Sequence, residues 1–208
     1  MNRKISLISS VTLAISIITF FISLALSFFI SNPIVGNISY LSCIILSWTY
    51  LLTIVGYSRS CTEDKIVAIE AGKIFGIIYT IFVNIVYFAQ LTAVQQKVLD
   101  ISILNSLSFE YPGSLLFSFD LIGYGILAIS TFFVGLTIEV KNRNDKILKL
   151  LLLFHGIFAV CIFLPMTSLF IADNNSGNSG IFALMAWCLI FISIPILFYK
   201  KIKESKEL

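Results

Sequence analysis

Long apolar runs alternate with short polar segments along the whole chain, and this pattern predicts its secondary structure. The apolar runs lie at about residues 5–30, 38–57, 67–94, 113–138, 147–172 and 181–199. A helix needs ~20 predominantly apolar residues to cross the hydrocarbon core of a bilayer, and every run is within that range. The pattern therefore predicts an all-α polytopic membrane protein, a single bundle of six transmembrane helices.

Two features modify this simple pattern of straight spans. Pro165 and Pro195 fall inside the fifth and sixth runs, and proline is expected to kink a helix because it lacks a backbone N–H. The segment from Gln95 to Pro112 mixes apolar and polar residues between the third and fourth runs. It is expected to lie along the outer interface as an amphipathic piece, either as a packed connector or as a lid over a cavity.

The composition changes the picture by excluding whole classes of protein. Hydrophobic residues make up 58% of the 208 residues, and charged residues make up 12%. Soluble domains carry roughly 25% charged residues, and they have no means of hiding so much apolar surface from water. A soluble enzyme and a disordered chain are therefore excluded. The net charge of +3 is too small to indicate a nucleic acid as partner.

The distribution of basic residues predicts the orientation in the membrane. With six spans, Lys97 alone falls on one side, and the other thirteen lysines and arginines fall on the opposite side. Such a bias marks the cytoplasmic side, so both termini are expected to be cytoplasmic. The many Ile, Lys, Asn and Phe residues are typical of an AT-rich bacterial genome, which indicates a prokaryotic cell membrane.

The cysteines and the histidine offer no pattern for metal or redox chemistry. Cys43, Cys61, Cys161 and Cys188 are at least 18 residues apart, which excludes a CxxC pair and zinc-finger spacing. A single histidine, His155, excludes a three-histidine zinc site, and we interpret it as a satisfied interior residue. Glycine-rich nucleotide loops and nucleophile-elbow motifs are also missing. We expect no metal, no cofactor and no catalytic residue, so an intramembrane enzyme is the least favoured class.

The first span carries a face of small polar residues. These residues recur at alternating spacings of three and four, which places them on one side of a helix: Ser9, Thr12, Ser16, Thr19 and Ser23. Small residues let helices approach closely, so this face is interpreted as a packing seam. The alternative interpretation is the polar wall of a pathway through the membrane.

Polar residues within the third and fourth spans are the candidate functional groups. Asp120 lies about seven residues, or ~10 Å, below the outer surface, and an intramembrane carboxylate is by default a candidate site. Tyr124 follows one turn later on the same face. The third span runs in the opposite direction, so Tyr87 and Gln90 are expected to reach the depth of Asp120. Asn84, on the same polar face as Tyr87, lies near mid-membrane.

A carboxylate, amides and two phenols can bind a cation, accept a proton or hydrogen-bond a small polar ligand. The first hypothesis is therefore a protein that binds or transports a small molecule or ion, with ligand-binding residues Asp120, Gln90, Tyr87, Tyr124 and Asn84. The competing interpretation of these residues is an ordinary hydrogen bond between helices, which in membranes averages only ~0.6 kcal/mol. The second hypothesis is a non-catalytic accessory or sensor subunit that packs against another membrane protein through an exposed Ser9–Ser23 face.

Two stretches of sequence carry a resemblance. At YFAQLTAV (Tyr87 to Val94) and SLLFSFDLIGYG (Ser114 to Gly125), the chain resembles a family of uncharacterised prokaryotic six-helix integral membrane proteins. The resemblance implies a polytopic protein of a bacterial or archaeal membrane, and it implies no particular reaction. In length and topology the chain is also similar to the substrate-binding subunits of energy-coupling-factor vitamin transporters, a similarity of shape without a shared site motif.

Overall fold

The protein is helical throughout the part that the structure describes. The computed structural model describes residues 2–97, 99–108, 114–162 and 177–204, and no strand occurs within these ranges. The helices are α1 (Asn2–Ser27), α2 (Pro33–Tyr57), α3 (Ile66–Ala89), α4 (Ile101–Leu107), α5 (Leu115–Thr137), α6 (Arg143–His155), α7 (Gly177–Phe191) and α8 (Ser193–Glu204). A π-helical turn, Gln90–Val94, continues α3, and a 3₁₀ helix, Gly156–Ile162, continues α6.

Five segments of the described chain are long and apolar enough to cross a membrane. They are Asn2–Ser27, Pro33–Ser60, Glu63–Val94, Leu115–Thr137 and Leu184–Glu204, and they correspond to the predicted first, second, third, fourth and sixth spans. The predicted fifth span, 147–172, is described as far as Ile162, and its remaining residues lie outside the described ranges. The prediction of six spans is thus matched by five membrane-length helices and part of another segment.

The outer surface of the bundle is apolar, as a lipid-facing surface requires. Ile8 is 65% exposed, Phe88 is 62% exposed and Leu189 is 63% exposed, and they belong to α1, α3 and α7. Exposed apolar side chains on so many helices form a surface that water does not favour and hydrocarbon does. Helix length and surface chemistry together indicate a membrane protein.

α2 begins at Pro33, five residues before the start of the predicted span. Asn32 caps the helix, because its side-chain oxygen accepts a 2.9 Å hydrogen bond from the backbone N–H of Ile34. Proline is favoured at the first helical position, where a backbone N–H has no partner in any case. The sequence Ser31-Asn32-Pro33 is therefore both the end of one connection and the start of a helix.

α1 packs most extensively against α2, and its small polar residues lie inside the bundle. Ser9, Ser16 and Ser23 are buried. The hydroxyls of Ser16 and Ser23 donate to carbonyls of the preceding turn, each at 2.9 Å, which satisfies them within α1 itself. The packing-seam interpretation is confirmed. Thr12 and Thr19, on the same face, are half-buried, and docking of another protein on this face stays a prediction.

Glycines bring α3 close to α5 in the centre of the bundle. A β-carbon on Gly72 would lie 2.7 Å from a methyl group of Val134, so the two helices touch at their backbones. Ser130 of α5 donates a 2.6 Å hydrogen bond to the carbonyl of Gly72. The hydroxyl of Tyr50, on α2, lies 2.8 Å from the Ser130 hydroxyl. This buried chain of hydrogen bonds joins α2, α3 and α5.

α6 and the 3₁₀ helix after it run antiparallel to α5. A β-carbon on Gly135 would lie 3.0 Å from Leu152, and one on Gly125 would lie 2.3 Å from the side chain of Ile162. The segment therefore passes along α5 for at least the ten residues between these two glycines. Its N-terminus is capped by Asn142, whose side chain accepts a 3.0 Å hydrogen bond from a backbone N–H of the first turn.

The last two helices are separated by a break at Ile192, three residues before Pro195. Because Pro195 has no N–H, the carbonyl of Phe191 loses its usual intrahelical partner. The helix is thus interrupted at Ile192, close to the position where the kink at Pro195 is predicted. Pro165 lies outside the described residues.

Charged residues tie one end of the bundle together. Lys65 pairs with Glu139 at 2.7 Å, and Lys201 pairs with Asp145 at 2.9 Å. Arg3, near the start of α1, donates to the carbonyl of Lys203 near the end of α8. The two ends of the described chain therefore lie at the same end of the bundle, which we call the basic end.

Glu70 and Lys73, one helical turn apart on α3, form an ion pair at 2.5 Å. Both side chains are partly exposed, so the contribution of the pair to stability is small, about 0–1 kcal/mol.

The connection between α3 and α5 is packed at its C-terminal part. α4 occupies Ile101–Leu107, where Leu107 packs against the core while Ile101 is 79% exposed. This arrangement agrees with an amphipathic connector. Val98 and residues 109–113 lie outside the described ranges, and the alternative of a lid stays a prediction.

Candidate functional site

Asp120 lies in the second turn of α5, inside the bundle. α5 begins after Ser114, whose side-chain oxygen accepts a hydrogen bond from the backbone N–H of Phe117. The helical spacing from this cap turns Asp120 inward, and its exposed fraction is 8%. Its Oδ1 atom is buried and has no hydrogen-bond partner among the described residues. A buried carboxylate oxygen without a partner is costly in hydrocarbon, and native structures contain few of them.

Two tyrosine hydroxyls lie next to the Asp120 carboxyl group. The side chain of Tyr87, on α3, interacts with this carboxyl group. Its hydroxyl lies 3.3 Å from the hydroxyl of Tyr124, one turn further along α5 than Asp120. The thiol of Cys43, on α2, lies 4.0 Å from the Tyr124 hydroxyl. The structure therefore brings Asp120, Tyr87 and Tyr124 together, and we call these residues with Cys43 the Asp120 cluster.

Aromatic rings surround the cluster on several sides. The ring of Tyr87 stacks on Tyr40 with centroids 5.7 Å apart. Tyr124 contacts Tyr79 at 6.3 Å and meets Trp187 edge to face at 5.5 Å. The rings come from α2, α3, α5 and α7, so the two tyrosines of the cluster pack against aromatic side chains of α2, α3 and α7.

The environment of Asp120 contains no compensating positive charge in the described part of the chain. The titratable groups near it are Cys43, Tyr79, Tyr87 and Tyr124. Thiols and phenols are ordinarily neutral at pH 7. The ion pairs of the described lysines are made with Glu70, Glu139 and Asp145. An ionised Asp120 therefore needs a positive charge from outside this set of residues.

Gln90 is buried, but its side-chain hydrogen bond is made to Leu107 and not to Asp120. Its amide Nε2 donates a 2.7 Å hydrogen bond to the carbonyl of Leu107, which fixes α4 to the start of the π-helical turn. The bond holds α4 near the end of α3 that carries Tyr87. Gln90 thus positions the connector at this end of the bundle, and the structure gives it no hydrogen bond to Asp120.

Asn84 belongs to a separate polar contact between α2 and α3. Its Nδ2 lies 3.3 Å from the Ser47 hydroxyl and donates a 2.6 Å bond to the carbonyl of Thr80, while its Oδ1 accepts a 3.0 Å bond from the Trp48 indole. The hydrogen bonds of Asn84 are therefore made outside the Asp120 cluster. We place Asn84 in helix packing.

His155, the last residue of α6, forms a complete hydrogen-bond network with Thr131 of α5 and Trp187 of α7. The indole N–H of Trp187 donates to Nε2 at 2.7 Å, so the N–H of a neutral imidazole lies on Nδ1. Nδ1 is 2.7 Å from the hydroxyl of Thr131, which itself donates to the carbonyl of Ala128 at 2.9 Å. Every donor in this network has an acceptor. The interpretation of His155 as a satisfied interior histidine is confirmed.

Sequence reasoning missed Cys43, Tyr40, Tyr79 and Trp187 as neighbours of the cluster. One signal in the sequence could have found them. Tyrosine and tryptophan are usually concentrated at membrane interfaces, so a tyrosine in the middle of a span is unusual. Tyr79 lies in the middle of a predicted span and is 1% exposed. Aromatic residues with polar atoms at mid-membrane depth indicate polar partners inside the bundle.

A second polar region lies at the basic end, where a cleft of about 330 Å³ opens among α2, α5, α6 and α8. Lys201 reaches Asp145 across it, and Glu139 pairs with Lys65. The hydrogen bond from Lys65 lowers the pKa of the Glu139 carboxyl group from its ordinary value. Burial raises the pKa of the Cys61 thiol, another residue of the cleft wall. The two ion pairs of the cleft, Lys201 with Asp145 and Lys65 with Glu139, join the ends of helices.

No group of three or more histidine, cysteine, aspartate or glutamate residues suited to a metal ion occurs among the residues that could be searched, namely the described ones. Comparisons of the chain with known protein families, with curated proteins and with solved structures found no match. The geometry of the bundle is therefore the basis for a functional proposal.

Proposed function

We propose that the protein is a multi-pass membrane protein that binds a small cation or small polar molecule at the Asp120 cluster, in the outer half of the bundle. The observation that carries this proposal is the buried Oδ1 atom of Asp120, which has no partner among the described residues. Insertion scales assign about 2.5–3.5 kcal/mol to a carboxylate at the centre of a transmembrane helix. A bound ligand would supply the hydrogen bond or the positive charge that offsets this cost.

The surroundings of Asp120 support a ligand site better than a purely structural role. A structural hydrogen bond between helices pairs its donors and acceptors, as the network around His155 does. Among the described residues, the Asp120 carboxyl group is only partly paired: it interacts with Tyr87. The Tyr87 hydroxyl in turn lies 3.3 Å from the Tyr124 hydroxyl. That distance is long for a hydrogen bond between hydroxyls, whose usual range is about 2.5–3.0 Å. The Tyr124 hydroxyl therefore has capacity for another partner.

The topology in our proposal has six crossings with both termini in the cytoplasm of the cell. Two contacts support an even number of crossings: Arg3 with the carbonyl of Lys203, and Glu139 with Lys65. The segment Arg143–Ile162, which runs antiparallel to α5, would be the fifth crossing. Labelling of single cysteines placed near each terminus tests the topology, and labelling of the two from opposite sides of the membrane would contradict it.

A thermal-shift experiment tests the ligand site. The full-length protein in lipid nanodiscs is heated with Na⁺, K⁺, Mg²⁺ or methylammonium, in parallel with Asp120→Asn and the control Asp64→Asn, which alters a carboxylate in a polar connection. A ligand at about 100 times its Kd stabilises the folded state by about 2.7 kcal/mol, or on the order of 5–10 °C for a chain of this size.

At least one of these cations is expected to raise the Tm of the wild type and of Asp64→Asn but not that of Asp120→Asn. If every cation shifts Asp120→Asn as much as the wild type, the proposed site is wrong. The accessory-subunit hypothesis has no comparable observation in its favour, since three of the five residues of the Ser9–Ser23 face, namely Ser9, Ser16 and Ser23, are buried in the bundle.

A further inference from the structure

Resting on the proposed function, we infer that the ligand is an organic ammonium ion, held by the Asp120 carboxylate and by the aromatic rings around it. The Asp120 cluster offers one negative charge, several neutral oxygen atoms and an unusual number of aromatic faces. Each of these three features constrains the chemistry of the ligand.

The charge of the cluster requires a cation that brings its own hydrogen-bond donors. Oδ1 of Asp120 is a buried acceptor without a donor among the described residues. The Tyr124 hydroxyl makes only long contacts, at 3.3 Å with Tyr87 and at 4.0 Å with Cys43. An alkylammonium group carries up to three N–H donors on one positive centre, as lysine does. It can satisfy the carboxylate and a phenol oxygen together.

The oxygen atoms are too few for a hard metal ion. Calcium takes six to eight oxygen ligands, and magnesium demands octahedral geometry. The described part of the cluster offers the two carboxylate oxygens of Asp120 and the hydroxyls of Tyr87 and Tyr124. The thiol of Cys43 is a soft ligand that neither ion prefers. The donor set thus matches an ammonium group better than either metal.

The rings provide the second half of the recognition. Tyr40 packs on Tyr87 and Tyr79 packs on Tyr124, and the rings of Trp187 and Tyr124 pack edge to face with centroids 5.5 Å apart. A cation within about 6 Å of an aromatic centroid is attracted by the negative face of the ring, most strongly when water is excluded. Aromatic cages of this composition suit ammonium ions with alkyl groups, because the alkyl carbons also gain apolar contact.

The direct test uses Trp187 as a reporter of butylammonium binding. Trp48→Phe removes the other tryptophan, so the fluorescence of the full-length protein in nanodiscs comes from Trp187 alone. Butylammonium is expected to change this fluorescence saturably, whereas neutral 1-butanol and NaCl at matched concentration are not. Asp120→Asn should weaken the apparent Kd about 10- to 100-fold, the range for a hydrogen bond to a charged group. Asp64→Asn should leave it unchanged.

Substitutions of Tyr124 separate the ring from the hydroxyl. Tyr124→Phe keeps the aromatic face and loses the hydroxyl alone, so it should bind butylammonium more weakly than the wild type, whereas Tyr124→Leu loses both and should bind about 2- to 30-fold more weakly than Tyr124→Phe. A metal ion held by the phenol oxygen would instead bind equally weakly to both variants, because both lack this oxygen. The Tm of each variant without ligand controls for folding. If Tyr124→Leu does not fold, Tyr79→Phe and Asp120→Glu supply the comparison, with weaker binding expected for the shifted carboxylate.

The outcomes distinguish this inference from the proposed function. A saturable response to butylammonium that Asp120→Asn abolishes supports both. A Tm shift with Na⁺, K⁺ or Mg²⁺ that depends on Asp120, without a saturable response to butylammonium, overturns the ammonium inference and leaves the cation site in place. No Asp120-dependent response to any of these probes overturns both.

Discussion

The buried ion pair at the basic end gives the most quantitative prediction from the structure. Lys201 Nζ lies 2.9 Å from Asp145 Oδ1 and 3.1 Å from the carbonyl of Glu139. The side chain of Asp145 is 5% exposed and that of Lys201 is 16% exposed. The other oxygen of Asp145 accepts a 3.0 Å bond from the backbone N–H of Lys141. Lys201→Met removes the pairing charge and leaves this buried carboxylate with a single hydrogen bond.

Removal of one member of a buried pair costs about 3–5 kcal/mol. The cleft that both side chains line admits water, and the bond from Lys141 remains, so we expect about 2–3 kcal/mol for Lys201→Met. For a chain of 208 residues this lowers the Tm by about 4–12 °C. Lys200→Met is the matched control, because that neighbouring side chain is exposed. Its Tm should change by less than about 2 °C.

Equilibrium unfolding in detergent micelles, measured for the wild type, Lys201→Met, Asp145→Asn and the double variant, completes the test. The double variant should be more stable than the sum of the single losses by at least about 1 kcal/mol, because it leaves no uncompensated charge. A coupling energy below about 0.5 kcal/mol, or equal losses for Lys201→Met and Lys200→Met, would refute the reasoning. In that case the junction of α6 and α8 would depend on packing rather than on charge.

Three further predictions concern the rest of the bundle. The pKa of Glu139 is lowered by its lysine partner, so its contribution to stability is present above about pH 4.5 and is lost as the pH falls through the lower folded value; the Tm of the wild type should therefore decrease more than that of Glu139→Gln between about pH 6 and about pH 3. Gly56→Ala should destabilise the protein by about 1–3 kcal/mol, because a β-carbon there would lie 2.6 Å from the β-carbon of a serine on α1, whereas Gly36→Ala, with 3.9 Å to its nearest neighbour, should be nearly neutral in the same unfolding assay. His155→Phe should cost about 1–3 kcal/mol and shift the emission of Trp187, whose indole N–H loses its acceptor; unchanged stability and emission would show that the network contributes nothing.

The parts of the fold that the sequence predicts follow from properties local to each segment. Hydrophobic runs give the membrane-length helices, since a bilayer demands continuous apolar length. The meeting of Asp120, Tyr87 and Tyr124 follows from two further facts, namely that neighbouring spans are antiparallel and that each helix rises by a fixed amount per residue. Depth in the membrane can therefore be read from residue number, and residues of equal depth on adjacent helices can be paired.

The sequence does not predict with the same accuracy which neighbouring helix each polar side chain faces. Asn84 and Tyr87 are three residues apart, which separates them by about 60° on the helix surface. α3 packs against both α2 and α5, so this angle is enough to direct Asn84 towards Trp48 while Tyr87 reaches Tyr124. A polar face that lies between two neighbouring helices divides its residues between them, and periodicity alone does not reveal that division.

The order of helices around the bundle is also absent from the hydrophobic pattern. Cys43 and Trp187 reach the cluster from α2 and α7, which are far from Asp120 in sequence. Gln90 is at the expected end of α3, but its partner is the carbonyl of Leu107 on α4. These contacts depend on tertiary packing, which the periodicity of single segments does not encode.

Two buried polar groups, His155 at the end of α6 and Asp120 on α5, contrast in a way that bears directly on function. His155 and Thr131 form a network in which each donor has an acceptor, and such saturation is what stability in hydrocarbon requires. Asp120, which is also buried and belongs to α5, has an oxygen without a partner in the described chain. A bundle that pairs the polar atoms around His155 so completely has the means to pair those of a structural carboxylate. An incomplete carboxylate therefore points to a partner that the helices themselves do not supply, and the surrounding phenol and indole rings favour an organic cation as that partner.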